Sequence, residues 1–347
     1  MKLFFIGCLF LLFFGSCDKS SKPVQQEYIT IGGLFPLTGE FCNEGIRALS
    51  GLQLARQVIN ENGGVLGKPI DIIILDDKND VQHAVEQYKI LKAKGVVAIV
   101  GSSFPEVTQA LAKETQKDGM PFVAPTAINP TKAKVLAEFA HNKLGAKTAL
   151  IIGDYQRDSI TILFEESFKN IGGSIIGRDN YSSYGDFETI LAKYKINQPD
   201  IIFCQTHYIA AAKLVETAHK MGFDKSKFIG TYAWEGILGF LREYSVIDRI
   251  YYATPFTLDE MDSIVKDFSQ RFFINYNQMP LSTSALSYSA IQVLVDAIES
   301  SESTEPENII AAMKINMPEI VAKHNPQAVY IMQIKNNLYS LYEKIDL

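Results

Sequence analysis

The residues most able to do chemistry sit in short segments that follow apolar runs. Ser102 and Ser103 come between one such run and an amphipathic stretch, a position where hydroxyls and open backbone N–H groups meet an anion or a carbonyl. Tyr155, His207, Tyr208, Tyr232 and Trp234 are aromatics of the kind that wall the apolar part of a ligand, and Glu44, Asp158 and Glu235 are acids that would meet a cation. Together they describe recognition of a small polar organic molecule, with the two serines donating to its anionic or carbonyl group. The three acids tilt the expected ligand toward an amine or a neutral amide.

Other chemistries find no support. Gly63-Gly64-Val65-Leu66-Gly67-Lys68 misses the spacing of a phosphate loop, and Pro69 stands where a magnesium-binding hydroxyl belongs, so the segment reads as a helix end and turn. Asp76-Asp77-Lys78-Asn79-Asp80 has Lys78 inside a would-be calcium loop and no glycine at the sixth place, and reads as solvated carboxylates ending a strand. No CxxC, HExxH or Gly-x-Ser-x-Gly occurs, and no Ser, His and Asp fall together in these segments. The expectation is a non-enzyme with no metal and no cofactor. The 33 basic residues are spread along the chain against 39 acidic ones, a net charge of −6, which argues against nucleic acid as a partner.

The elements that must position these residues alternate. Ile29–Leu34, Ile70–Leu75, Val96–Val100 and Pro121–Ala124 are strand-length apolar runs. Between them lie an apolar helical face at Ala48, Leu52, Ala55 and Ile59, then helices at Val81–Lys94 and Val107–Lys117, ended by Gly63-Gly64, Gly95 and Gly119. The alternation then restarts: helix Ala137–Leu144, strand Thr148–Ile152, helix Ser159–Ile171, strand Ser174–Gly177, helix Phe187–Tyr194, strand Ile201–Cys204, helix Ile209–Met221 and strand Phe228–Gly230. Strand Ile250–Ala253, helices around Met261–Tyr276, Ala285–Ser300 and Pro306–Met313, and a strand pair from Ala328 to Tyr342 complete it. Fully apolar strands alternating with helices predict parallel sheets covered on both faces, and 347 residues suit two lobes. Ligands then bind beyond the carboxyl ends of the strands, which directs attention to 35–45, 76–80, 101–106, 125–130, 153–158, 205–208 and 231–236.

The N-terminus reads as an address. Lys2, the apolar run Leu3–Phe14 and Gly15-Ser16-Cys17 make an export signal too short to span a membrane, ending like a bacterial lipobox. Residues 1–16 are expected to be removed, leaving a net charge of −7, with Cys17 lipidated and 17–27 a polar tether. Cys42 and Cys204 then remain, in different lobes, and are expected to stay separate thiols.

Within this frame Pro36-Leu37-Thr38-Gly39, Gly45, Gly51, the stretch Ile59–Gly67 (INENGGVLG), Asp76-Asp77, Val100-Gly101-Ser102, Gly119-Met120-Pro121, Pro125, Asn129-Pro130 and Tyr288-Ser289-Ala290 resemble the Leu/Ile/Val-binding proteins, the class I periplasmic receptors of branched-chain amino acid transporters. The resemblance implies an α/β protein of two Rossmann-like doubly wound lobes joined by three crossovers, of the type I periplasmic binding protein kind. A small-molecule ligand would be trapped by hinge closure and handed to an ABC permease. It implies crossings near Thr131–Leu136, Arg249–Pro255 and Asn316–Gln327, with 28–133 plus 254–318 as the first lobe and 134–253 plus 319–347 as the second. Phe104, Thr126 and Ala127 join the candidate ligand contacts on its strength. A monomer at the periplasmic face or cell surface is the expected state.

Departures bear on the ligand. The serine that holds the carboxylate of an α-amino acid in relatives is matched by Pro105, its helping threonine by Ile128, the second-lobe tyrosine falls near Asp158, and the acid for the ammonium falls at Tyr232 with Glu235 nearby. Glu44 stands where relatives place a ligand-facing aromatic. A solute receptor is the expected function; a fold-keeping, ligand-poor lipoprotein that regulates an envelope partner is the alternative these losses leave open.

Overall fold

The computed structural model describes residues 27–125, 130–153, 159–241, 248–259, 263–314 and 328–346. Cys17, Thr126, Ala127, Ile128, Tyr155 and Asp158 therefore lie outside the described residues, as does the expected third crossing at Asn316–Gln327.

Two sheets carry the architecture. The first is all parallel, in the order β2 (Ile70–Asp76), β1 (Ile29–Phe35), β3 (Ala98–Gly101), β4 (Phe122–Val123). Between these strands run α1 (Cys42–Glu61), α2 (Val81–Ala93) and α3 (Pro105–Asp118). The second sheet has the order β11 (Leu338–Asp346), β10 (Ala328–Lys335), β9 (Ile250–Thr254), β8 (Lys227–Thr231), β7 (Ile201–Cys204), β5 (Thr148–Ile152), β6 (Ser174–Asp179). It is parallel from β6 to β9 and antiparallel where β10 and β11 join. Its helices are α4 (Pro130–Glu138), which runs into a π-helical turn at Phe139–Lys143, α5 (Ser159–Asn170), α6 (Asp186–Lys193) and α7 (Tyr208–Lys220). Helices α8 (Ser263–Tyr276), α9 (Ser282–Ser301) and α10 (306–314) follow β9.

Parity explains why the strands are apolar throughout. Leu150, Ile152, Ile202 and Cys204 enter one core of the second lobe, while their neighbours Ala149, Ile151, Ile201 and Phe203 enter the other. The first sheet divides likewise, with Ile31, Ala98 and Val100 on one face and Leu34 and Ile99 on the other. A strand buried on both faces has no polar side to alternate with.

The chain passes between lobes three times. It leaves the first sheet after β4 and enters the second core by Ala133. It leaves the second sheet after Thr254 and returns with Phe268 and α9, and it crosses again between Ile309 and Ala328. The first crossing differs from the one near Thr131–Leu136 that the resemblance implied. Those residues are helical, and Ala133, Val135 and Leu136 are buried. Pro130 opens the helix, where its missing N–H costs nothing, and the apolar spacing continues through Ala137 and Ala140.

Glycine permits the closest helix contact. A Cβ on Gly51 would lie 2.1 Å from the Ser284 carbonyl oxygen, so only glycine lets α1 and α9 approach this far.

Candidate functional site: a cleft between two sheet ends

Strand order reverses between β1 and β3 in the first sheet and between β5 and β7 in the second. The carboxyl ends at these switch points face one another, which is where open parallel sheets bind ligands. From the first lobe come the β1–α1 and β3–α3 segments. From the second come those after β6, β7 and β8.

The first-lobe wall is internally bonded. Ser102, fully buried, donates its hydroxyl to Asp77 Oδ2 at 2.6 Å, and its carbonyl accepts from Thr108 Oγ1 at 3.0 Å. Burial raises the Asp77 pKa while the Ser102 hydroxyl opposes that rise. Asp76 accepts from Leu37 N, Thr38 Oγ1 and Lys78 N; burial pushes its pKa up, and these donors carry it below the ordinary value. Asp80 caps α2 by accepting from His83 N. The acids read as solvated strand-end carboxylates thus brace the β2–α2 turn, and Asp77 is buried because Ser102 covers it. Ser103 differs: its Oγ is buried without a partner.

Aromatic rings meet across the cleft. Phe41 lies 4.7 Å from Phe104 on its own lobe and 4.9 Å, edge-on, from His207 on the other. Tyr184 donates to Glu40 Oε1 at 2.8 Å, and its ring stands 6.4 Å from His207. Burial lowers the His207 pKa, with Glu40 opposing, so the ring is neutral at pH 7.

The second-lobe wall leaves polar atoms waiting. Gln205 Oε1, His207 Nδ1, Tyr208 Oη and Thr231 Oγ1 are buried with no hydrogen-bond partner among the described residues. The Asn43 amide stands beside the Tyr208 hydroxyl without hydrogen-bond geometry to it. Neither His207 at the head of α7 nor Phe104 at the head of α3 caps its helix through its side chain, and Pro105 occupies the first turn of α3 without an N–H to give. The first-turn amides of both helices therefore receive no acceptor from their own N-cap side chains.

Two expected ligand acids are already engaged. Glu44 accepts from Arg47 Nη1 at 2.7 Å and Thr283 Oγ1 at 2.8 Å. Glu235, buried between the lobes, accepts from Thr254 Oγ1 at 2.6 Å and from Ser282 Oγ and Ser282 N, each at 2.7 Å. Burial raises the Glu235 pKa against these donors. Burial also pulls Lys132 down to about 8, with Glu235 acting to raise it. Trp234 is not a wall: it is fully buried in the second-lobe core beneath Gly230, where a Cβ would sit 2.2 Å from the indole. Tyr232 is half-buried in the 3₁₀ turn Tyr232–Trp234 above it. Cys42 and Cys204 form no disulfide.

Phe41, Arg47, Tyr184, Gln205 and Thr231 were not singled out from sequence. Arg47 was detectable, because it lies three residues after Glu44 on one helix face. Tyr184 was hidden because β6 alternates exposed and half-buried residues as an edge strand, so its carboxyl end was not marked. A shallow depression lined by Tyr28, Arg56, Asn60 and Tyr276 lies at the opposite, amino end of the first sheet, where Arg56 pairs with Asp71 and Asn60 with the Ile70 backbone.

Two doubly wound lobes, three chain crossings and a cleft between opposed sheet ends define a bilobal binding protein. The chain belongs to the periplasmic binding protein family, whose model matches residues 28–335. It is 21% identical over 332 residues to the leucine-, isoleucine-, valine-, threonine- and alanine-binding protein of Pseudomonas aeruginosa, covering 86% of this chain and 85% of that one. To the Leu/Ile/Val-binding protein BraC3 of Rhizobium johnstonii it is 22% identical over 222 residues, 57% of this chain and 60% of that relative, so that match spans less than two-thirds of the relative's length. The leucine-binding protein LivK of Thermotoga maritima superposes with a TM-score of 0.80 at 20% identity, covering 92% of this chain and 99% of that one. The relatives are binding proteins rather than enzymes.

Proposed function

We propose that this protein is an exported solute receptor that captures a small polar organic ligand between its lobes and delivers it to an ABC permease. Lobes of 28–133 plus 254–318 and 134–253 plus 319–347 would close on the ligand. Residues 1–16 would direct export, and a lipid on Cys17 would hold the monomeric receptor to the membrane through the 17–27 tether. The ligands named for the relatives and solved neighbours are amino acids and aromatic carboxylates, which supports testing amino acids and similar carboxylates first.

One observation carries this reading. Ser103 Oγ from one lobe and Gln205 Oε1, His207 Nδ1 and Thr231 Oγ1 from the other are buried at the facing sheet ends without partners. Buried polar groups are bonded in more than about 90% of cases, and each orphan costs about 1–3 kcal/mol. A cluster of them at a cleft is the arrangement expected where a ligand supplies the missing bonds, with the α3 and α7 amides favouring a carboxylate among its groups. The test is a thermal-shift screen of the purified protein against amino acids, small carboxylates, amides and polyamines. A ligand at 100 times its Kd adds about 2.7 kcal/mol. A clear rise in Tm with at least one solute is expected; a flat response across the panel would favour the ligand-poor regulatory alternative.

A further inference from the structure

The Glu44–Arg47 pair occupies the cleft with its donors only partly used. Arg47 Nη1 donates to Glu44, and among the described residues this is the guanidinium's one hydrogen bond. Its Cζ lies 5.5 Å from the centroid of the Tyr208 ring on the opposite lobe. Gly236 makes room for it: a Cβ there would sit 3.2 Å from Nη2, on a backbone with φ of +92°. The partnerless hydroxyl of Tyr208, a residue only 2% exposed, adds a further polar group beside it.

The inventory is one-sided. A guanidinium offers five N–H donors, and four remain. The neighbouring carboxylate is partly used, since Glu44 Oε1 accepts from Arg47 and Oε2 from Thr283, which leaves about two of its four lone-pair sites, and its charge is already paired. A ligand amine placed here would meet a cation and a carboxylate whose charge is already paired. A ligand carboxylate would meet spare N–H groups in a planar fork that binds it bidentately, with the Tyr208 hydroxyl as a second donor. An aliphatic group would leave the half-buried guanidinium and the buried phenol unpaired.

We infer that Arg47 is the specificity-determining residue of the cleft and that the captured ligand carries an anionic group on the part of it that reaches α1, as a dicarboxylate or an acidic amino acid does. The inference rests on the reading of the cleft as a ligand site. It reverses the preference for an amine or amide that Glu44, Asp158 and Glu235 suggested: Glu44 is paired with Arg47 and Glu235 is bonded to Thr254 and Ser282, while Asp158 lies outside the described residues.

Two matched pairs of probes test it by calorimetric titration: L-glutamate with L-leucine, and glutarate with pentanoate. In each pair the two members share a head group and differ in the distal end. The acidic member of at least one pair should bind at least about tenfold tighter, as one charge-assisted bidentate contact allows. Arg47→Met should abolish that preference and Arg47→Lys should keep part of it, with melting curves confirming that both variants fold. Tighter binding of the aliphatic members, or an acidic preference that survives Arg47→Met, overturns the inference and leaves the receptor reading standing. Failure of all four probes to bind overturns it too, and the wider solute screen then decides separately whether the cleft binds anything.

Discussion

On the first lobe's side of the cleft nearly every polar group is partnered within its own surroundings: Ser102 with Asp77, Asp76 with Leu37 and Thr38, Glu44 with Arg47 and Thr283. On the second lobe's side Gln205, His207, Tyr208 and Thr231 present buried atoms with no partner at all. A self-satisfied wall is rigid before anything arrives, whereas a wall of orphans gains stability only when something fills it. Under the proposed receptor reading the first lobe would serve as a template, with Ser103 and Arg47 as its open donors, and the second as the surface whose bonds a ligand would complete.

Deleting one buried hydroxyl on each side tests that difference directly and carries the largest expected effect. Ser102→Ala leaves Oδ2 of the buried Asp77 carboxylate without its donor, with Oδ1 still held by Asn79 N, and should lower stability by about 1–3 kcal/mol while affinity for the best solute changes little. Thr231→Val removes a hydroxyl that has nothing to bond, so the ligand-free protein should be as stable as before or slightly more so, and affinity should fall. Urea unfolding and titration on the two variants read both quantities. Equal destabilisation by both substitutions would break the distinction between the walls.

The contrast also explains what could be read in advance. Uninterrupted apolar strands separated by glycine-ended helices are a long-range pattern, and it survives any single substitution; hence two doubly wound lobes were legible. Which hydroxyl is spent inside the lobe is not. Ser102 and Ser103 are neighbours of identical chemistry, and only the β2–α2 turn, which puts Asp77 under Ser102, separates their roles. Trp234 failed as a wall for a similar reason, since Gly230 opens a space that draws the indole into the core. For Glu44 and Glu235 the charge was counted without the partners the fold supplies: Arg47 on α1, and Thr254 and Ser282 brought from elements distant in the chain.

A smaller effect is expected where the walls touch. Tyr184 on the second lobe donates to Glu40 on the first at 2.8 Å, in an exposed position. Tyr184→Phe removes that bond and keeps the ring against His207, so the closed form should lose about 0.5–1 kcal/mol. Ligand release should speed up about two- to fivefold in stopped-flow measurements, with the melting temperature of the ligand-free protein nearly constant. An unchanged release rate would mean that this contact does not hold the lobes together.

The smallest effect belongs to an ion pair on the outer face of the second lobe, which shares the fold with the orphaned wall but not its role. The Arg178 guanidinium holds Glu165 down to about 2, with Lys169 adding to it and burial opposing. An acid whose folded pKa is depressed stabilises the fold above its unfolded value, here the ordinary 4.5, and loses that contribution as pH falls toward 2. Glu165 is half-buried at the protein surface, its side chain 16% exposed, and surface pairs are worth only about 0.2–1 kcal/mol after screening. Glu165→Gln should therefore lower Tm slightly at pH 7, and the difference from the unsubstituted protein should vanish as the two are compared at successively lower pH between 4.5 and 2. Ligand affinity at pH 7 should be the same in both, because Glu165 stands midway along α5, outside the segments that face the cleft. A variant that weakened binding would show that the outer face of this lobe is coupled to its wall, and the wall could then no longer be treated as waiting on the ligand alone.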